Sequence, residues 1–124
     1  MENKIDTASN TALAPGMHLL IDYWGAQHLQ DITAIETAFK HAIAACGATL
    51  LHIQLHSFGE GSGVTGVAIL AESHMSIHTW PEIDYLAMDI FMCGACNPYL
   101  ALESLNDFFK PTQIKITEHK RGTL

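Results

Sequence analysis

The sequence predicts an α+β fold: a two-layer sandwich in which one antiparallel sheet carries two helices on one face. Three observations lead there. Several short segments alternate apolar with polar residues, the period of strands buried on one side. Two longer segments repeat apolar residues every three or four positions, the period of helices packed along one stripe. The strand-like segments in the middle are joined by turns too short for crossover helices, so those strands must run antiparallel.

Residues 1–15 are polar and patternless up to Pro15-Gly16 and read as a disordered leader, with 16–124 as one domain. His18 to Trp24 is a short apolar strand. Asp31-Ile32-Thr33 opens a helix whose apolar positions Ile32, Ile35, Phe39, Ile43 and Cys46 step by three or four, and Gly47 ends it. Thr49 to Phe58 alternates, with Leu51, Ile53 and Leu55 on one face and His52, Gln54 and His56 on the other. Gly59-Glu60-Gly61-Ser62-Gly63 is a turn, and Val64 to Ala71 forms the next strand. Met75 to Trp80 alternates again, placing Ser76, His78 and Trp80 on one side. Pro81-Glu82-Ile83-Asp84 interrupts, and Tyr85 to Met92 resumes as a strand. Asn97-Pro98 caps a second helix with Leu102, Leu105 and Phe109 as its buried stripe. Gln113 to Glu118 closes the chain as a strand. The sheet face opposite the helices needs a cover, and a second subunit is the natural candidate.

A chain of 124 residues, 48% hydrophobic and 15% charged, fits one domain with a real core. Its net charge of −7 argues against nucleic acid as a partner and suits a cationic small substrate. Three cysteines, Cys46, Cys93 and Cys96, form no even disulfide framework. No apolar run reaches the ~18 residues of a membrane span. The first residues lack the basic and apolar regions of a signal peptide. A reducing cytoplasm is the expected location.

The most informative segment reads Glu72-Ser73-His74-Met75-Ser76-Ile77-His78-Thr79-Trp80-Pro81-Glu82. A serine directly after a glutamate, with two histidines close behind, can cut its own backbone. The serine oxygen attacks the preceding carbonyl, turning the Glu72–Ser73 amide into an ester. A base that removes the serine α-proton then expels the ester, and the remaining dehydroalanine hydrolyses to a pyruvoyl group.

Leu70-Ala71 leading into this block, Met88-Asp89-Ile90-Phe91-Met92-Cys93-Gly94, Gly16-Met17-His18-Leu19-Leu20, Cys46-Gly47-Ala48-Thr49-Leu50 and Glu118-His119-Lys120-Arg121-Gly122 together resemble the short prokaryotic S-adenosylmethionine decarboxylase proenzymes. The resemblance implies cleavage between Glu72 and Ser73 into a β chain, 1–72, and an α chain, 73–124. It implies a pyruvoyl cofactor generated covalently from Ser73, S-adenosylmethionine as substrate, and a product used for spermidine synthesis. It also implies a homodimer of cleaved protomers with active sites at the subunit interface. His78 matches the histidine that moves the proton during processing, a task suited to a pKa near neutrality. Thr65 stands where a serine hydroxyl usually assists the acyl shift. Cys93 matches the catalytic proton donor that returns a proton to the substrate α-carbon. Phe58 occupies the place of an aromatic that stacks on adenine, and Glu72 and Asp22 offer carboxylates to a cationic substrate.

Three places depart from the family pattern: Ile83-Asp84 replaces Tyr-Gly, Met92 stands where threonine is common, and Gly59–Gly63 replaces a segment with arginine and proline. They fall near the substrate wall, so arginine or ornithine as the substrate on the same fold is an alternative. Two readings from other classes stand beside these. Cys93-Gly94-Ala95-Cys96 has the form of a thiol–disulfide redox motif. His52-x3-His56 and His74-x3-His78, with Cys93 and Cys96, could make a metal-binding module.

Overall fold

A computed structural model describes residues 16–123; the expected leader, 1–15, lies outside the described residues. Strands β1 (Gly16–Trp24), β2 (Leu50–Ser57), β3 (Val64–Leu70), β4 (Ser73–Trp80), β5 (Tyr85–Cys93) and β6 (Gln113–Arg121) form one sheet, with helices α1 (Ile32–Ala45) and α2 (Pro98–Phe109). The sheet order is β2-β3-β4-β5-β1-β6, and every neighbouring pair is antiparallel. The element order and the antiparallel sheet with its two helices match the sequence expectation.

Local chemistry fixes the helix starts. Asp31 accepts a hydrogen bond from the Ala34 amide at 3.0 Å, and Asn97 accepts one from the Tyr99 amide at 3.0 Å with Pro98 in the first turn. The helices bury Ile35, Phe39 and Ile43 from α1 and Leu102, Leu105 and Phe109 from α2. These meet Leu19, Ile21, Tyr23, Met75, Ile77, Leu86, Met88 and Ile90 from the sheet. The sheet residues between them in sequence point the other way, onto a face that no helix among the described residues covers.

Two differences from the sequence reading have local causes. Leu51 is 63% exposed rather than aligned with Ile53 and Leu55, because a register shift between Leu50 and His52 inserts an extra residue and turns it outward. Strand β4 starts at Ser73 rather than Met75, because Ser73 already pairs with Leu70 of β3. The turn before β3 brings Gly63 so near Thr79 that a Cβ there would lie 2.1 Å from the Thr79 carbonyl oxygen.

Thr79 ties this corner together. Its hydroxyl donates to the Leu29 carbonyl at 2.7 Å and accepts from the Val64 amide at 2.8 Å, all buried. Thr79→Val keeps the volume but orphans a buried donor and a buried acceptor. It should lower the free energy of unfolding by about 2–4 kcal/mol, read by chemical denaturation of the purified protein.

Candidate functional site

Antiparallel register lays the open face of the sheet out in rows. Across the middle run Leu20, Asp89, Ser76 and Val67 from β1, β5, β4 and β3. On one side of that row lie His18, Phe91, His74 and Ile69; on the other lie Asp22, Ala87, His78 and Thr65. The charges, rings and hydroxyls that the core cannot hold are concentrated here, which is where strand alternation must put them.

At one end sits the candidate cleavage point. Glu72 has a φ of 64°, in the left-handed region that non-glycine residues avoid. The Cys93 thiol donates to the Glu72 carbonyl at 2.7 Å, and the Cys93 amide donates to Ser73 Oγ at 3.0 Å. One residue at the end of β5 thus holds both the carbonyl and the hydroxyl of the Glu72–Ser73 linkage.

At the other end lie Thr65 and His78, hydrogen-bonded through Oγ1 and Nδ1 at 3.2 Å. His78 is five residues beyond Ser73 on one strand, so roughly 16 Å separate them. Phe58, 62% exposed, follows β2 at this end, against the His56 ring with centroids 4.7 Å apart. Asp22 is here too, but it accepts a hydrogen bond from the Tyr85 hydroxyl, which pushes the Tyr85 pKa up to about 12. Trp24, Tyr85 and Trp80 form a ladder of rings with centroids 5.7 and 5.2 Å apart. The structure therefore joins Glu72, Ser73 and Cys93 in one group and Thr65 and His78 in another. It does not join the two groups within one chain.

Between them lies a cluster that sequence reasoning missed. Asp89 Oδ2 accepts from His18 Nε2 at 2.6 Å and His74 Nε2 at 2.7 Å, while Ser76 donates to Oδ1. Burial pushes the Asp89 carboxyl up, but the hydrogen bonds from Ser76, His18 and His74 outweigh it and hold the carboxyl below its ordinary range. The signal available in sequence was a lone aspartate between Met88 and Ile90 in an alternating strand. Its partners come from β1 and β4 through long-range register.

The histidine spacings of the metal-binding alternative do not converge. His52 and His56, like His74 and His78, are four residues apart along a strand, roughly 13 Å, too far to share an ion. Among the described residues, His18, His74 and Asp89 do bring ligand atoms within 4.8 Å of one another. Yet Arg121 Nη1 donates to His18 Nδ1 at 3.0 Å, leaving the ring proton on the Nε2 that faces Asp89. The redox-module alternative required a parallel βαβ unit, and an all-antiparallel sheet overturns it.

A sequence profile described as S-adenosylmethionine decarboxylase matches residues 17–122. The chain is 48% identical over 112 residues to the S-adenosylmethionine decarboxylase proenzyme of Methanococcus aeolicus, covering 88% of this chain and 95% of that one. It is 41% identical over 110 residues to the proenzyme of the same description from Thermomicrobium roseum, covering 88% and 95%. The crystal structure of the adenosylmethionine decarboxylase from Aquifex aeolicus VF5 superposes with a TM-score of 0.80 at 29% identity, covering 90% of this chain and 93% of that one.

Asp89→Asn separates charge from shape in the central cluster, since an amide oxygen still accepts from both histidines. A carboxyl held low in the folded state contributes stability that is present above its unfolded pKa and lost as pH falls through the folded value. The substitution should lower the melting temperature at neutral pH. It should also flatten the loss of stability on acidification below the ordinary carboxylate range, as followed by thermal melts across pH.

Proposed function

The chain belongs to the S-adenosylmethionine decarboxylase family, and from that membership we propose that it cuts itself between Glu72 and Ser73 and then works with the pyruvoyl group so formed. It is a carboxy-lyase that converts S-adenosylmethionine to its decarboxylated form for polyamine biosynthesis.

The grip of Cys93 on the Glu72–Ser73 linkage is the observation that carries the cleavage site. A non-glycine residue in the left-handed region stores about 1–2 kcal/mol, which leaving the planar amide can release. Attack by Ser73 Oγ on the Glu72 carbonyl carbon makes an ester and gathers negative charge on the carbonyl oxygen. The Cys93 thiol already donates to that oxygen. Removal of the Ser73 α-proton then expels Glu72 as a carboxylate. The dehydroalanine left on the other side tautomerises and takes up water, losing ammonia to become the ketone.

The residues around Ser73 fit the group. Once present, the pyruvoyl carbonyl supplies the centre that binds the substrate amine and withdraws electrons as carbon dioxide leaves. Cys93, beside it, is the group that hands a proton to the substrate α-carbon. Glu72 ends the β chain there as a carboxylate, a counter-charge for a sulfonium. Phe58 offers a ring face to adenine, and Asp22 adds negative potential while it holds Tyr85.

Thr65 and His78 are too far from their own Ser73 to act on it. We infer that they act on a second copy. Pairing two open faces about a two-fold axis running across the strands sets the Ser73 end of one chain over the His78 end of the other. Leu20, Trp24, Val67, Ile69 and Trp80 give that face exposed apolar area to bury. In such a homodimer His78 of the second copy takes the Ser73 α-proton and Thr65 supports its ring.

Two experiments test this reading. Wild-type protein should run as two fragments on a denaturing gel and release carbon dioxide from S-adenosylmethionine but not from arginine or ornithine. Ser73→Ala should stay full length and release none; an active, uncut Ser73→Ala chain would refute the cofactor assignment. Separately, differently tagged Ser73→Ala and His78→Ala chains, each uncut alone, should be co-expressed. In the mixed dimer the His78→Ala chain should be cut and the Ser73→Ala chain should not. An uncut His78→Ala chain in that mixture means His78 serves its own chain.

A further inference from the structure

We propose that Cys93 and Cys96 form a reversible disulfide that switches the decarboxylase off, a modification site resting on the assignment of Cys93 as proton donor. The Cys96 amide donates to the Cys93 carbonyl at 3.4 Å, closing a four-residue turn in which Gly94 takes a φ of 65°. Such a turn holds its end Cα atoms within about 7 Å, which overlaps the roughly 4.4–6.8 Å that a disulfide spans. All three cysteines carry free thiols here, and Cys93 and Cys96 are both partly exposed whereas Cys46 is buried.

The two thiols have different surroundings. Cys93 ends β5 and donates its thiol proton to Glu72. Cys96 lies just before Asn97, the N-cap of α2. It also lines a cleft of about 230 Å³ with Gly16, Met17, Met92, Tyr99 and Lys120. That cleft gives a small disulfide a route to Cys96. Burial, first, and the neighbouring Cys96 push the Cys46 thiol pKa up, and its proton is committed to the Ile43 carbonyl at 3.3 Å. Cys46 is thus the poorest nucleophile of the three.

The exchange balances. Cys96 thiolate attacks one sulfur of a low-molecular-weight disulfide and expels one thiol, giving a mixed disulfide. Cys93 then attacks the Cys96 sulfur, gives up its proton and expels the second thiol. Two cysteine thiols are oxidised and one external disulfide is reduced to two thiols. The product has no Cys93 thiol to protonate the substrate α-carbon.

The test uses matured, already cleaved enzyme exposed to glutathione disulfide, with activity and peptide masses followed together. Wild type should lose activity in step with a Cys93–Cys96 cross-link and regain it with dithiothreitol. Cys96→Ala, which keeps the backbone turn to Cys93 and removes no side chain assigned to catalysis, should form no cross-link and lose far less activity. The switch is overturned if Cys96→Ala is inactivated as fast as wild type, if Cys96 joins Cys46 instead, or if the cross-linked enzyme stays active. Cys93→Ala under reducing conditions separates the premise from the switch. Full activity there would remove Cys93 from catalysis, whereas a failed cross-link with an inactive Cys93→Ala would remove only the switch.

Discussion

Helices α1 and α2 cover one face of the sheet, and among the described residues no helix covers the other; that asymmetry governs the rest of the structure. In a strand the side chain period is two, so each strand must send one set of residues into the core and the other onto the bare face. Met75, Ile77 and Thr79 go inward, while His74, Ser76, His78 and Trp80 go outward from the same eight residues of β4. A one-residue slip of β4 against β5 would bury His74 and His78 and expose Met75 and Ile77. The apolar core therefore enforces the register, and the register sets out the polar groups of the open face.

The same geometry explains why the polar groups are divided. An extended strand advances roughly 3.3 Å per residue, so neighbours in sequence become distant in space. Ser73 and His78 look adjacent in the sequence, yet they lie at opposite ends of one strand. Contact between such ends needs either a sharp fold in the strand or another sheet lying across it. β4 is straight between β3 and β5 with continuous pairing, so the first route is closed. The Asp89 cluster near the middle of the face fits the second. Its carboxylate is already satisfied by Ser76, His18 and His74, so it can be covered without leaving a bare buried charge.

Much of this was legible in the sequence because alternation and capping are local. The helix stripes through Phe39 and Phe109, the caps at Asp31 and Asn97, and the shared outward face of Ser76, His78 and Trp80 all follow from residues a few positions apart. What escaped depends on pairing between distant segments. Asp89 meets His18 across a separation of 71 residues, and no local pattern marks that partnership. Leu51 escaped because a bulge breaks the alternation on which its placement rested. The Cys93 contact with Glu72 escaped for the first reason, since it joins the end of β5 to the turn before β4.

That contact makes Cys93 the point where three parts of the chain meet. Its amide fixes Ser73 Oγ, its thiol fixes the Glu72 carbonyl, and its own carbonyl closes the turn to Cys96. The amide contact survives any side-chain replacement, so the serine hydroxyl stays in place whatever stands at this position. The thiol contact does not survive, so a change there takes the donor away from the Glu72 carbonyl. Cys96, by contrast, reaches the linkage only through the turn, so a change of its side chain leaves both Cys93 contacts, to Glu72 and to Ser73, in place.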